Sequence, residues 1–211
     1  MTGGVIPKDL IVLVADKNME ATFKGLLSRN CSLGIRQISF DVFVHPNKDP
    51  GCRGESDRFL QSLVNQYSFG LVVFDREGSG SNANRDELEI RGETKLSLVG
   101  WNNRSAVIVL DPELEIWLWN RSPHVEEALG WRGQNQSLRS WLISNGYLTE
   151  ENSKPIRPKE TLELVLRKVK KPRSSAIYMQ IAKNASLEGH QEPAFIKLRS
   201  KLHNWFSEVN E

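Results

Sequence analysis

The sequence predicts an α/β fold: a Rossmann-like, mostly parallel sheet flanked by helices, followed by a helical C-terminal region. Three observations predict it. Short apolar runs alternate with stretches of helical periodicity. Three of the runs, "DLIVLVAD" (9–16), "FGLVVFD" (69–75) and "RSAVIVLD" (104–111), are nearly continuous, as in strands covered on both faces. After residue 112 the pattern is helical only. The expected division is an α/β core over residues 1–121 and a helical extension over 122–211, packed together as one structural unit.

The elements follow in order. After the first run, Met19, Phe23, Leu26 and Leu27 form one helical stripe. "IRQISFDVFVHP" alternates, with Ile38, Phe40, Val42 and Val44 on one face and Pro46 as its stop. Phe59, Leu60, Leu63, Val64 and Tyr67 predict a second helix, and "HPNKDPGCRGE" (45–55) before it reads as a polar turn cluster. Residues 84–99 predict a charged helix interrupted by Gly92. Asp111-Pro112 and Ser122-Pro123 both read as N-cap and first-turn pairs. "SLRSWLISNG" ends at a glycine suited to a helix C-terminus. "RPKETLELVLRKV", "SSAIYMQIAKNA" and "EPAFIKLRSKLHNWFSEV" predict three more helices, and "ENSKPIRPKE" a linker between sheet and tail.

Composition sets the broad class. Hydrophobic residues at 39% and charged residues at 26% are ordinary globular usage, so disorder is not expected. No apolar run reaches the roughly 18 residues of a membrane span. "MTGGVIPKDL" has neither a basic leader nor a small-residue cleavage site, and Cys31 and Cys52 form no paired pattern. The expectation is a cytoplasmic protein without a membrane partner. Net charge is +2, unevenly placed: residues 1–152 hold 16 Lys+Arg against 20 Asp+Glu, and residues 153–211 hold 12 against 6. Such a pairing fits a metal site beside a phosphate-binding surface; a solvated helix end would give the same basic run.

The acids carry the functional signal. In open parallel sheets, sites lie beyond the carboxyl ends of the strands, and Asp16, Asp75 and Asp111 each follow an apolar run. Asp16 with Glu20, Asp75 with Glu77, and Glu113 with Glu115 are acidic pairs at three of these ends. Residues two apart in extended chain point the same way, so Asp75 and Glu77 are expected to reach one Mg²⁺ or Mn²⁺ ion. Each acid also has an ordinary structural role open to it, as helix cap, first-turn acid or turn former. Trp117 and Trp119 read as core. The four histidines lack zinc spacing, and "GSGSNANR" lacks the lysine of a phosphate-binding loop.

Taken in order, "LVADKNMEATFKGLL", "VVFDREGSG", "PELEIWLW", "KPIRPKETLE", "SSAIYMQIAKN" and "EPAFIKLRSKLHNWF" resemble TOPRIM-like proteins of the DUF4276 type, over roughly residues 9–206. Within that family the resemblance is to members carried by bacterial methylation-associated anti-phage defence systems. It implies a TOPRIM-like core binding Mg²⁺ through an acid after the first strand and a DxD motif after a later one, for phosphoryl transfer on nucleic acid. Asp16 and Glu20 match the first place, Asp75 and Glu77 the DxD motif, and Glu113, Glu115 and Trp117 an ELExW motif. Asp16 stands where the pattern favours Glu, and Glu77 lengthens the second DxD position. The implied function is a metal-dependent nuclease acting with other defence proteins, DNA being preferred by the resemblance. Asp16, Glu20, Asp75 and Glu77 would hold metal, and Glu113 or Glu115 would be a further ligand or general base. Lys154, Arg157, Lys159, Lys168, Lys170, Lys171 and Arg173 would bind backbone phosphates. The alternative is a non-catalytic module binding nucleic acid or a partner protein.

Overall fold

Leu10, Ile11, Val12, Leu13 and Val14 are wholly inaccessible to solvent, as a strand covered on both faces requires. They form β1 (Lys8–Val14), which pairs in parallel with β2 (Phe40–Val44) and β3 (Tyr67–Asp75); β3 pairs in parallel with β4 (Ser105–Leu110). The computed structural model describes residues 6–207. The first residues used to judge a secretory signal, and the last two of the expected stretch 192–209, lie outside the described residues.

The strand order is β2-β1-β3-β4. The chain leaves β1 towards one edge to make β2, then returns across it to make β3. This reversal places a crevice between the carboxyl ends of β1 and β3, where doubly wound sheets bind ligands. Asp16 follows β1 and Asp75 ends β3, so both flank that crevice.

α1 (Lys17–Leu27) follows β1, with Met19, Phe23, Leu26 and Leu27 buried as the periodicity predicts. A short helix, α2 (Asn30–Leu33), leads to β2, whose Phe40, Val42 and Val44 pack on the core while Phe43 faces outwards. α3 (Lys48–Gln61) differs from the sequence expectation at both ends. The polar "HPNKDPGCRGE" stretch supplies its first turns, where Pro50 leaves no helical hydrogen bond unmade. The helix stops at Gln61, so Tyr67 starts β3 instead of extending the helical stripe.

α4 (Arg85–Leu96) is capped by Asn84, which accepts from Glu87 N at 2.9 Å, and runs through Gly92 without interruption. A Cβ at Gly92 would stand 2.9 Å from Val107 Cγ2, so the glycine lets the helix lie against β4. The free edge of β4 is closed by side chains of the same helix. Glu93 Oε1 accepts from Val107 N and Glu89 Oε1 from Val109 N, each at 3.0 Å. Lys197 bonds both glutamates, at 3.0 and 2.7 Å, and belongs to the last helix. Unpaired strand groups are thus met by carboxylates, and the carboxylates by a cation.

Asp111-Pro112 starts no helix: Glu113 is extended, and a single 3₁₀ turn spans Leu114–Trp117. Trp117 and Trp119 are both buried, as expected. Then come α5 (Pro123–Leu129), α6 (Leu138–Ser144), α7 (Pro158–Lys168), α8 (Ser175–Asn184) and α9 (Pro193–Phe206). α8 packs along α1, and α9 packs against β4. Trp117 lies between α1 and α9, its ring 6.1 Å from Phe23 and 5.1 Å from Phe195. No helix among the described residues is long and apolar enough to cross a membrane.

Gly92→Ala is expected to destabilise the fold by about 1–3 kcal/mol through overpacking against Val107, although alanine is the better helix former by about 1 kcal/mol. Urea denaturation checks the sign; a stabilised variant would show that the helix–strand contact is loose.

Candidate metal centre

The strand β3 ends at Asp75, and two hydrogen bonds fix this residue. Its N–H donates to Asp49 Oδ1 at 2.8 Å, and its own Oδ1 accepts from Leu114 N at 2.8 Å. The second bond holds the 113–115 segment across the strand end. Glu113 and Glu115 lie on either side of Leu114, and both are buried. One carboxylate oxygen from each of Asp75, Glu113 and Glu115 lies within 4.8 Å of the others.

Asp49 is the acid that sequence reasoning missed. It sits in the first turn of α3, in the stretch read as a turn cluster. A Cβ at Gly78 would stand 2.6 Å from Asp49 Oδ2, so one glycine of "REGSG" serves to let this carboxylate approach. The missed signal was a first-turn aspartate followed by proline, an ordinary helix start.

The charges act on one another. Burial, then the neighbouring charges of Asp49, Glu115, Asp16 and Glu113, push the pKa of Asp75 well above its ordinary value. Burial raises that of Asp49. Burial and then Glu115 raise that of Glu113. Two cations from the C-terminal region answer this density. Glu113 Oε1 accepts from Lys159 N at 3.0 Å, capping α7, and its Oε2 lies 3.6 Å from Lys159 Nζ. Glu115 Oε1 accepts from Arg173 Nη2 and from the Tyr178 hydroxyl, both at 2.5 Å. Arg173 also reaches Glu163, at 3.3 Å.

The other predicted acids are placed differently. Asp16 caps α1, its Oδ1 accepting from Asn18 N at 2.9 Å and Met19 N at 2.8 Å. Its charge acts on Asp75 and Asp49, so it borders the group without joining it. Glu20 is taken up by Lys17 and Lys24, each at 2.7 Å. Burial disfavours its charge, but these lysines outweigh that and keep its pKa low. Glu77 is exposed in the 3₁₀ turn Glu77–Ser79. The expectation that it shares a direction with Asp75 needs an extended chain, whereas Arg76 is helical (φ −61°, ψ −48°).

Four of the seven predicted basic residues, Lys154, Lys159, Lys171 and Arg173, have partners within the chain. Lys154 bonds Ile116 O at 2.9 Å and pairs with Glu192. Lys171 donates to Ala128 O at 2.6 Å, at the C-terminal end of α5. Lys159 and Arg173 face the acids. Arg157, Lys168 and Lys170 are exposed.

No family model, curated protein or solved structure matches this chain. The assignment of chemistry therefore rests on the acidic group itself. An ion holding oxygens at about 2.1 Å can span at most about 4.2 Å between two of them, so the group must draw in slightly to bind one Mg²⁺. Three carboxylates suit a hard divalent cation and offer nothing to a soft one.

Arg173→Ala is expected to cost about 2–3 kcal/mol, because it leaves the buried Glu115 carboxylate facing Glu113 and Asp75 without its cation. Arg173→Ala combined with Glu115→Gln should recover part of that loss. Chemical denaturation of the cycle checks it, and strict additivity would mean that the pair is not coupled.

Proposed function

We propose that this protein is a Mg²⁺- or Mn²⁺-dependent phosphodiesterase acting on nucleic acid, as a component of a bacterial anti-phage defence system. The carrying observation is the assembly of Asp75, Glu113 and Glu115 at the carboxyl ends of a parallel sheet, within 4.8 Å and at an evident electrostatic cost. A divalent cation is a natural remedy for such a cost. The location is the one doubly wound sheets use for ligands. The defence setting, and the preference for DNA, rest on the resemblance alone.

In this reading Asp75, Glu113 and Glu115 hold the ion, with Asp49 and Asp16 adding negative charge around it. When bound, the ion would polarise a phosphate oxygen and lower the pKa of an attacking water. Each glutamate already commits one oxygen to the chain, Glu113 Oε1 to Lys159 N and Glu115 Oε1 to Arg173 and Tyr178, so a glutamate that did not hold the ion would be the candidate general base. Lys159 and Arg173 would steer the phosphate. Arg157, Lys168 and Lys170 would add salt-sensitive, sequence-independent affinity.

A second reading has its own observation. Glu113 and Glu115 already have protein partners in Lys159, Arg173 and Tyr178. The acids would then be a structural junction, in a non-catalytic module that binds nucleic acid or a partner protein.

Metal-dependent melting separates the two. Millimolar Mg²⁺ or Mn²⁺ is expected to raise the melting temperature of the wild type by mass action and leave Asp75→Asn unmoved. Supercoiled DNA, single-stranded DNA and RNA should show cleavage by the wild type only. An unmoved wild type without cleavage would favour the junction.

The metal-free protein has a further signature. A carboxyl whose folded pKa lies above its unfolded value of about 4 stabilises the fold below that value and loses this contribution as pH rises through the folded pKa. Asp75, Asp49 and Glu113 act in that sense. Asp75→Asn should therefore raise the metal-free melting temperature at pH 8, by about 2–4 °C per kcal/mol gained, and gain less at pH 5. An equal change at both pH values would place the benefit outside Asp75 ionisation.

A further inference from the structure

The C-terminal region holds a half-open cavity of about 320 Å³ that none of the three clustered acids lines. Its size matches the lower range of small-molecule pockets, and its lining has their usual character: mostly apolar, with few polar groups. Val125, Leu138, Leu142 and Leu148 are buried and line it together with Trp119. The indole is fixed, because Trp119 Nε1 donates to Pro158 O at 3.0 Å. The 149–153 loop beside the cavity is fixed as well, by Arg139 Nη2 donating to Glu150 O at 3.0 Å and Asn152 O at 3.2 Å.

Three charged groups complete the lining, Arg121, Glu126 and Arg139, and the last is engaged with the loop carbonyls. Arg121 is exposed, so its guanidinium is available to an anion. Glu126 lines the cavity and is anchored through Oε1, which accepts from Leu138 N at 2.8 Å, so its other oxygen remains as an acceptor. A ligand that satisfies Arg121 and Glu126 carries an amino donor and a separate anionic group, and the apolar wall of Trp119 and Leu142 suits a flat ring between them. We propose that the cavity binds a mononucleotide whose base carries an exocyclic amino group, with the base against Trp119 and Leu142, the amino group on Glu126 and the phosphate on Arg121. A carboxylate accepting from the amino group of a base is an established pairing. The inference is independent of any metal at the acidic group.

Calorimetric titration of the full chain tests it, using adenosine 5′-monophosphate, cytidine 5′-monophosphate, uridine 5′-monophosphate and adenosine. The adenine and cytosine nucleotides are expected to bind, with adenosine and the uracil nucleotide each weaker by about tenfold, the scale of one hydrogen bond to a charged group. Arg121→Gln, at an exposed position, should erase the advantage of the nucleotide over adenosine. Glu126→Gln keeps an oxygen for Leu138 N and presents an amide donor in place of Oε2, so it should reverse the preference towards uracil. Leu142→Trp, checked for a cooperative melt, should fill the cavity and abolish binding. Failure of all four compounds to bind would overturn the proposal. Equal affinity for nucleotide and nucleoside in the wild type, or undiminished binding in a folded Leu142→Trp variant, would overturn it too.

Discussion

The arrangement depends on Asp75 being hydrogen-bonded through both its backbone and its side chain. Its N–H fixes Asp49 of α3, and its carboxylate fixes the N–H of Leu114. From Leu114 the connection divides. Glu113 caps α7 through Lys159 N, and Glu115 holds Arg173 and Tyr178 of the segment leading into and forming α8. Five parts of the chain are thus joined through four acidic side chains, and the C-terminal helices gain their register on the sheet from the same groups that would hold an ion. Backbone donors stabilise these carboxylates, whereas mutual repulsion opposes them.

That balance explains why Lys159 and Arg173 stand where they do. Carboxylates this close are tolerated when a cation offsets their field, and an ammonium and a guanidinium can do so from one side. Their positive charge is attached to the chain and approaches from the C-terminal region only. A divalent ion would sit among the oxygens, drawing them inwards. Under the proposed function the two would be compatible if Lys159 and Arg173 shifted towards a bound phosphate, and would compete without one. In the first case the cations belong to the substrate site. In the second they keep the acidic group assembled before anything binds.

The legible parts of the fold were those governed by one local rule. Apolar runs with no polar interruption gave β1, β3 and β4, and the stripe at Met19, Phe23, Leu26 and Leu27 gave α1. Ser122-Pro123 marked the start of α5 through the proline at its first helical position, although the Ser122 side chain makes no capping bond. What escaped the sequence depended on contacts far along the chain. Gly92 reads as a helix breaker until Val107 is placed beside it. Asp49 reads as part of a turn until Asp75 is found donating to it. Glu113 and Glu115 were legible as acids near a strand end, and the structure brings them to Asp75. Glu20 and Glu77 carried the same signal, yet one is held by two lysines of its own helix and the other is turned out by a helical Arg76.

The basic tail shows the same limit from the other sign. Counting charge along 153–211 suggests a phosphate-binding surface, but charge density in sequence says nothing of direction. Lys154 is partly buried with Glu192, whose burial is outweighed by His190 and Lys154 so that its pKa falls to about 2. Lys171 meets a helix-end carbonyl, where a cation is favoured by the helix dipole as well as by the hydrogen bond. Arg173 faces Glu115. These three support the interior, leaving Arg157, Lys168 and Lys170 exposed and Lys159 at the margin of the acidic group. Any nucleic acid reaching the carboxylates would therefore meet a small number of cations, two of them already engaged with acids. Under the proposed function, such a surface would give weak, salt-sensitive binding positioned chiefly at the acidic group, in contrast to the tight grip that the raw charge of the tail suggests.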